Sequence, residues 1–180
     1  GFSFKDTLRL VNQTTATSVQ KLIGGAASYN GNKYEFCTSH KALSLSDGTN
    51  NYRLLVGLND NLNSTNSNYG IYFLYDKYGT GNTATASNNW LCVCKNSTNF
   101  TVVDSGVLYN TTTESKLYFI KNETDNEVKF YINNVLVATI TNNIYTSAMR
   151  PMLLSEKTLG TGTINNDFDY LFYKVHKNRI

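Results

Sequence analysis

The sequence predicts an all-β protein, an antiparallel β-sandwich, and three observations point there. The first is the stretch Glu127-Val-Lys-Phe-Tyr-Ile-Asn-Asn-Val-Leu-Val-Ala-Thr-Ile140. Val128, Phe130 and Ile132 are apolar at every second position, and β-branched residues continue through Val135, Val137 and Thr139, the period of a strand with one buried face. Asn133-Asn134 stands where a two-residue hairpin turn needs both central residues at positive φ, a region Asn tolerates best after Gly. The second is composition: 13 Tyr and 9 Phe against a single Pro, with only 16% charged residues. Aromatic and β-branched side chains fit pleated surfaces, and a chain with one Pro leaves its strands free to pair. The third is the alternation of apolar runs with Asn, Gly, Ser and Thr clusters nearly from end to end, the rhythm of strands and turns.

Taken in order, the pattern predicts strands at Thr7–Val11, Tyr34–Thr38, Ala42–Leu45, Tyr52–Leu58, Gly70–Tyr75, Trp90–Cys94, Phe100–Val103 and Lys116–Lys121. The hairpin Val128–Thr141 follows, then Met152–Glu156 and Phe168–His176. Asp47-Gly48, Gly79-Thr-Gly81 and Asp104-Ser-Gly106 read as turns, and the polar stretches Asn59–Tyr69 and Tyr78–Asn89 as exposed loops. Thr15–Ile23 alone carries a helical spacing, with Val19, Leu22 and Ile23 at i, i+3 and i+4. The run Asp167–His176 is apolar on both faces, which places it inside a sheet, pairing with the N-terminal strand. At 180 residues the chain is the length of one large sandwich, so residues 1–180 are expected to form one domain, a part of a longer protein.

Net charge is +3, and the basic residues are scattered. Nucleic acid is therefore not an expected partner, since phosphate binding needs Lys and Arg gathered on one face. No apolar run reaches the length of a membrane span. Cys92 and Cys94, at i and i+2, point in parallel and are poorly placed to bridge each other. Three buried thiols or a bridge from Cys37 to one of the pair both fit. Zinc lacks the paired ligand spacing, because His40 and His176 stand apart from the cysteines. Asn59-Asp60-Asn61-Leu62-Asn63 is rich in oxygen ligands of the kind calcium takes, yet any exposed loop of an Asn-rich chain has this character. No cofactor or metal is expected.

From Trp90 onward the chain resembles structural proteins of tailed bacteriophages in the concanavalin A-like (LamG-like) jelly-roll superfamily. The pieces that carry the resemblance are Val103-Asp-Ser-Gly-Val107, Lys116–Ile120, Val128–Thr139, Thr141-Asn-Asn-Ile144, Arg150-Pro-Met152, Leu159–Thr163 and Asp169-Tyr-Leu171, in matching order over the C-terminal half. Asn133-Asn134 replaces a usual Asp-Gly, and Tyr145 stands where Pro is common. The resemblance implies a concanavalin A-like jelly roll within a virion protein of tail fibre, spike or capsid appendage type. Other virion proteins, a homotrimeric assembly and a virion or extracellular location follow from it as expectations.

The superfamily so resembled contains glycoside hydrolases, whose two carboxylates stand about 5–10 Å apart across the scissile bond. Glu35, Glu114, Glu123, Glu127 and Glu156 are dispersed. Asp167 and Asp169 share a face at i and i+2, but a structural role at a strand start accounts for them. The expectation is no enzyme. Carbohydrate recognition on a sandwich uses aromatic rings that stack on sugar faces. Among Trp90, Tyr69, Tyr72, Tyr75, Tyr78, Tyr109 and Tyr145, the site residues expected are Trp90, Tyr69, Tyr78 and Tyr109, with Tyr69 and Tyr78 flanking the Asn-rich loops. Two functions emerge: a non-catalytic structural domain serving assembly or surface decoration of a viral particle, and a lectin-like module that attaches to host polysaccharide.

Overall fold

The computed structural model describes residues 2–4, 7–15, 17–24, 33–60, 69–80, 85–122, 126–146 and 148–176. They form strands β1 (Phe2–Phe4), β2 (Leu8–Asn12), β3 (Val19–Ile23), β4 (Lys33–Ala42), β5 (Asn51–Asn59), β6 (Tyr69–Asp76) and β7 (Ser87–Asn96). Then come β8 (Asn99–Leu108), β9 (Ser115–Lys121), β10 (Val128–Ile132), β11 (Val135–Ile140), β12 (Arg150–Leu159) and β13 (Ile164–His176). One sheet runs β1-β13-β4-β9-β10-β11, with β2 also pairing β13, and the other β3-β12-β5-β6-β7-β8. Every pairing is antiparallel. The chain is an all-β antiparallel sandwich.

Alternation decides which side chains meet between the sheets. Leu54, Val56 and Leu58 from β5, Ile71 and Phe73 from β6, and Cys92 and Cys94 from β7 face Phe36, Leu117, Phe119, Phe130 and Phe168 of the other layer. Phe130 meets Phe73 edge to face at 5.2 Å and lies 5.5 Å from Phe119, so the predicted hairpin sits at the centre of the core. Asn133 and Asn134 take φ of 52° and 65°, the turn their identity predicts. Residues between the inward positions build a second apolar layer on the far face of the six-stranded sheet: Leu55, Tyr72, Leu74, Leu91, Val93, Met152 and Leu154. There Gly57 is required by contact, because a Cβ on it would stand 2.4 Å from the Ile71 carbonyl and 2.6 Å from Tyr72 Cα.

Four readings of the sequence need correction. Val19–Ile23 is a strand on the edge of β12, its backbone groups paired from Met152↔Ile23 to Glu156↔Val19. Three apolar residues at i, i+3 and i+4 fit a short strand as well as a helix, and the β12 edge settles the choice. Ala42 ends β4, and no strand continues through Leu45, which is exposed. Asp104-Ser-Gly106 is a bulge inside β8, since the register steps from Asn89↔Leu108 to Leu91↔Asp104 with Gly106 at φ 69°. β13 does lie inside its sheet, between β4 and the pair β1 and β2, but its faces differ: Phe168 and Leu171 are buried, whereas Asp169, Phe172 and Lys174 are exposed. All three cysteines are free; Cys92 and Cys94 are buried side by side in the core, so no bridge to Cys37 forms. Gly81, Asn61–Asn63, Glu123 and the His176 side chain lie outside the described residues.

Candidate functional site

Two of the four expected sugar-stacking residues are core residues. Trp90 is 0% and Tyr109 3% exposed. Trp90 donates its indole N–H to Ser115 Oγ at 3.3 Å and meets His40 edge to face. Tyr109 stacks on Tyr75 with ring centroids 3.9 Å apart and lies against Tyr52 and His40. Alternation identifies an aromatic face without telling whether a second sheet covers it, and here it does. Tyr72 and Tyr75 are buried too.

Tyr69 and Tyr78 lie outside that core but at opposite ends of β6. Tyr69 opens the strand, half-buried and stacked on Tyr145 at 4.2 Å. Tyr78 follows the strand's other end and is 41% exposed, with Lys77 Nζ 5.5 Å from its ring centre. The eight-residue strand β6 between them spans about 25 Å of backbone, more than one sugar unit bridges.

The structure opens a different site, on the outer face of the seven-stranded sheet. A cleft of about 240 Å³ is lined by Thr7, Ser39, Lys41, Glu114, Asp167 and Asp169. Strand register explains the grouping. Asp167 pairs with Lys41, Phe168 with His40, and His40 with Ser115, which brings Glu114 to the same end. The inward neighbours His40, Phe168 and Ser115 belong to the core, so each residue beside them along its strand points outward.

A bulge shapes the cleft. Phe168 opposes His40 and Leu171 opposes Thr38, which leaves Asp169 and Tyr170 together facing the single residue Ser39. Such an extra residue bends its strand and re-aims side chains, and it recurs beside functional sites. The Tyr170 carbonyl, freed from regular pairing, accepts a hydrogen bond from the Thr38 hydroxyl. The Tyr170 hydroxyl lies 3.7 Å from Cys37 Sγ. Its titration is pushed up to about 12 by burial, then by Cys37, with the negative charges of Glu114 and Asp169 adding to it.

The polar groups of the cleft are unequally engaged. Asp167 is held by Arg9 in a two-point contact, Nε to Oδ1 at 2.6 Å and the terminal nitrogen to Oδ2 at 2.7 Å. The Arg9 guanidinium is raised by that hydrogen bond and by the charge of Asp167. Ser39 is 0% exposed, and its Oγ has no hydrogen-bond partner among the described residues. A buried hydroxyl so left costs free energy unless something in the cleft satisfies it. Asp167 and Asp169 were visible in the sequence as a pair on one face. Ser39, Lys41, Glu114 and Tyr170 were not, because the bulge that gathers them is a property of pairing between strands distant in sequence.

No cluster of three or more His, Cys, Asp or Glu able to hold a metal ion occurs among the described residues, which contain no helix long and apolar enough to cross a membrane.

No family model matches this sequence, and no curated protein matches it. Solved structures do. The carbohydrate recognition domain of Emp46p in its potassium-bound form has a TM-score of 0.61 at 12% identity, over 92% of this chain and 82% of that one. The alginate lyase AlyC3 in complex with dimannuronate has a TM-score of 0.63 at 8% identity, over 96% of this chain and 75% of that one. A Bacillus licheniformis beta-glucanase has a TM-score of 0.59 at 13% identity, over 94% and 79%. Enzymes and carbohydrate recognition domains thus share this architecture. The chain has the concanavalin A-like jelly-roll fold.

Proposed function

We propose that this chain is a non-catalytic carbohydrate-binding module whose site is the cleft at the β13 bulge. The observation that carries the reading is the cleft itself: about 240 Å³, the scale of a single sugar ring, lined by carboxylates, hydroxyls and an amine, with the buried Ser39 hydroxyl at its wall unsatisfied among the described residues. Sugars present closely spaced hydroxyls that both donate and accept, and such a lining answers them. Carbohydrate recognition domains with this fold add support.

A binding role is favoured over catalysis by the state of the carboxylates. Glycoside hydrolysis needs a carboxyl held protonated as the acid, opposite a second carboxylate. Burial raises the carboxyl of Asp60, which lies just past β5 at the rim away from the cleft with Lys95 as its charged neighbour. Across β5 the two carboxylates on the far face of the six-stranded sheet are both engaged, Glu156 with Arg53 and Asp76 with the Thr80 hydroxyl and N–H.

The resemblance of the C-terminal half to phage structural proteins supports display on a virion or other extracellular surface, where repetition in an oligomer would multiply a weak site about 10²- to 10⁴-fold in avidity. A glycan array followed by titration calorimetry tests the function. Saturable binding of at least one glycan is expected, lost in Ser39→Ala and Asp169→Asn variants that melt like the parent, with no new chain ends formed on prolonged incubation. Silence across the array, or cleavage of the bound glycan, would overturn it.

A further inference from the structure

Resting on that reading, we infer that the cleft selects a sugar carrying a free amine over its neutral, N-acetylated or carboxylated counterparts. The charges in and beside it are uneven. Three carboxylates, Glu114, Asp167 and Asp169, line it, against one lining cation, Lys41. Asp167 is neutralised from outside by Arg9. Within the lining Glu114, Asp169 and Lys41 remain and sum to one negative charge, while Lys116, paired with Ser39 on β9, is a further cation beside the cleft. Neither Glu114 nor Asp169 makes a hydrogen bond or ion pair among the described residues, so both keep their acceptor oxygens free.

The second observation is independent of the acidic cluster. Ser39 is wholly buried, lines the same cleft and has an Oγ without a partner among the described residues. Strand order places it opposite Asp169 across the bulge and two positions before Lys41. A hydroxyl can accept from an ammonium or donate to a ring hydroxyl, whereas an ionised carboxylate only accepts. A ligand that donates three protons from one point, with hydroxyls on the adjacent carbons, satisfies both. An ammonium on a sugar ring is such a group. An N-acetyl group in its place offers one donor and no charge, and a uronate would bring a further negative charge up to Glu114 and Asp169.

The contribution of one charge-assisted hydrogen bond corresponds to at least about tenfold in affinity. The probes are a β-linked glucosamine oligomer, its N-acetylated form, a mannuronate oligomer and spermine, titrated into the 180-residue chain at fixed ionic strength. The glucosamine oligomer is expected to bind at least about tenfold more tightly than the N-acetylated one. The double variant Glu114→Gln with Asp169→Asn should abolish the difference, and Ser39→Ala should weaken the glucosamine oligomer. Equal binding of the acetylated and free-amine oligomers, both weakened by Ser39→Ala, would overturn the amine preference and leave the sugar site standing. Spermine binding as tightly as the glucosamine oligomer would reduce the effect to bare charge attraction and overturn the inference. No binding of any saccharide would sink both readings.

Discussion

Tyr109 and Asn166 are joined across the two sheets by a 2.6 Å hydrogen bond, the phenol donating to the side-chain carbonyl. Asn166 Oδ1 also lies 3.1 Å from His40 Nε2, and its amide reaches Ser155 Oγ at 3.4 Å. This polar knot sits in the core behind the cleft, for His40 and Phe168 are the inward-facing neighbours of Ser39 and Asp167. Tyr109→Phe keeps the ring stack on Tyr75 and removes the donor. A loss of about 1–3 kcal/mol is expected in urea unfolding, the cost of a buried acceptor left short of a partner. An unchanged midpoint would mean that His40 alone satisfies Asn166.

Burial gives the same knot a pH dependence. His40 is held neutral, its titration lowered from 6.5 to about 4 by desolvation. Between those values the unfolded chain binds more protons than the folded one, so acid favours unfolding. The stability present above pH 6.5 is lost progressively as pH falls towards 4, by an amount of about 3 kcal/mol. Urea midpoints measured from pH 7 to 4.5 should fall more steeply in the parent than in His40→Gln. Parallel slopes would show that His40 is not the responsible group.

Phe130→Ala should cost about 3–5 kcal/mol, because the ring fills space between Phe73 and Phe119 that rigid sheets cannot close. Thermal unfolding followed by near-ultraviolet circular dichroism reads it. A cost under about 1 kcal/mol would place Phe130 at a yielding margin.

At the turn, Asn134 has φ 65°. Asn134→Gly should be tolerated, whereas Asn134→Val, with a branched Cβ at positive φ, should cost about 1–2 kcal/mol. Equal stability of the two variants would show that the turn adopts another type at no cost.

Gly57→Ala tests the crowded face of the six-stranded sheet. The added methyl meets backbone of β6, which cannot swing away as a side chain can. A destabilisation of about 1–3 kcal/mol is expected by urea titration, and a neutral result would show that β5 and β6 part easily.

What the sequence disclosed follows the range of the forces involved. The hairpin at Asn133-Asn134 was legible because its turn and its alternation are local, and Phe130 and Ile132 point inward as that alternation requires. β3 was misread because its partner, β12, lies more than a hundred residues away and its own five residues satisfy two periods. Trp90 and Tyr109 were misplaced because an alternating aromatic announces a face, while the covering sheet is decided elsewhere in the chain. The cleft was half visible: Asp167 and Asp169 share a face by simple counting, but Ser39 and Glu114 join them through a bulge and two strand pairings that no local pattern encodes.

Cys92 and Cys94 lie side by side on β7 with their thiols turned into the core, and burial raises the titration of both far above that of a free thiol. Since only the thiolate reacts, alkylating reagents can modify them only when the layers separate. The protein thus carries its own clock for global opening: the labelling rate of these two sulfurs, read by mass spectrometry, would count excursions that leave every other signal of the native ensemble undisturbed.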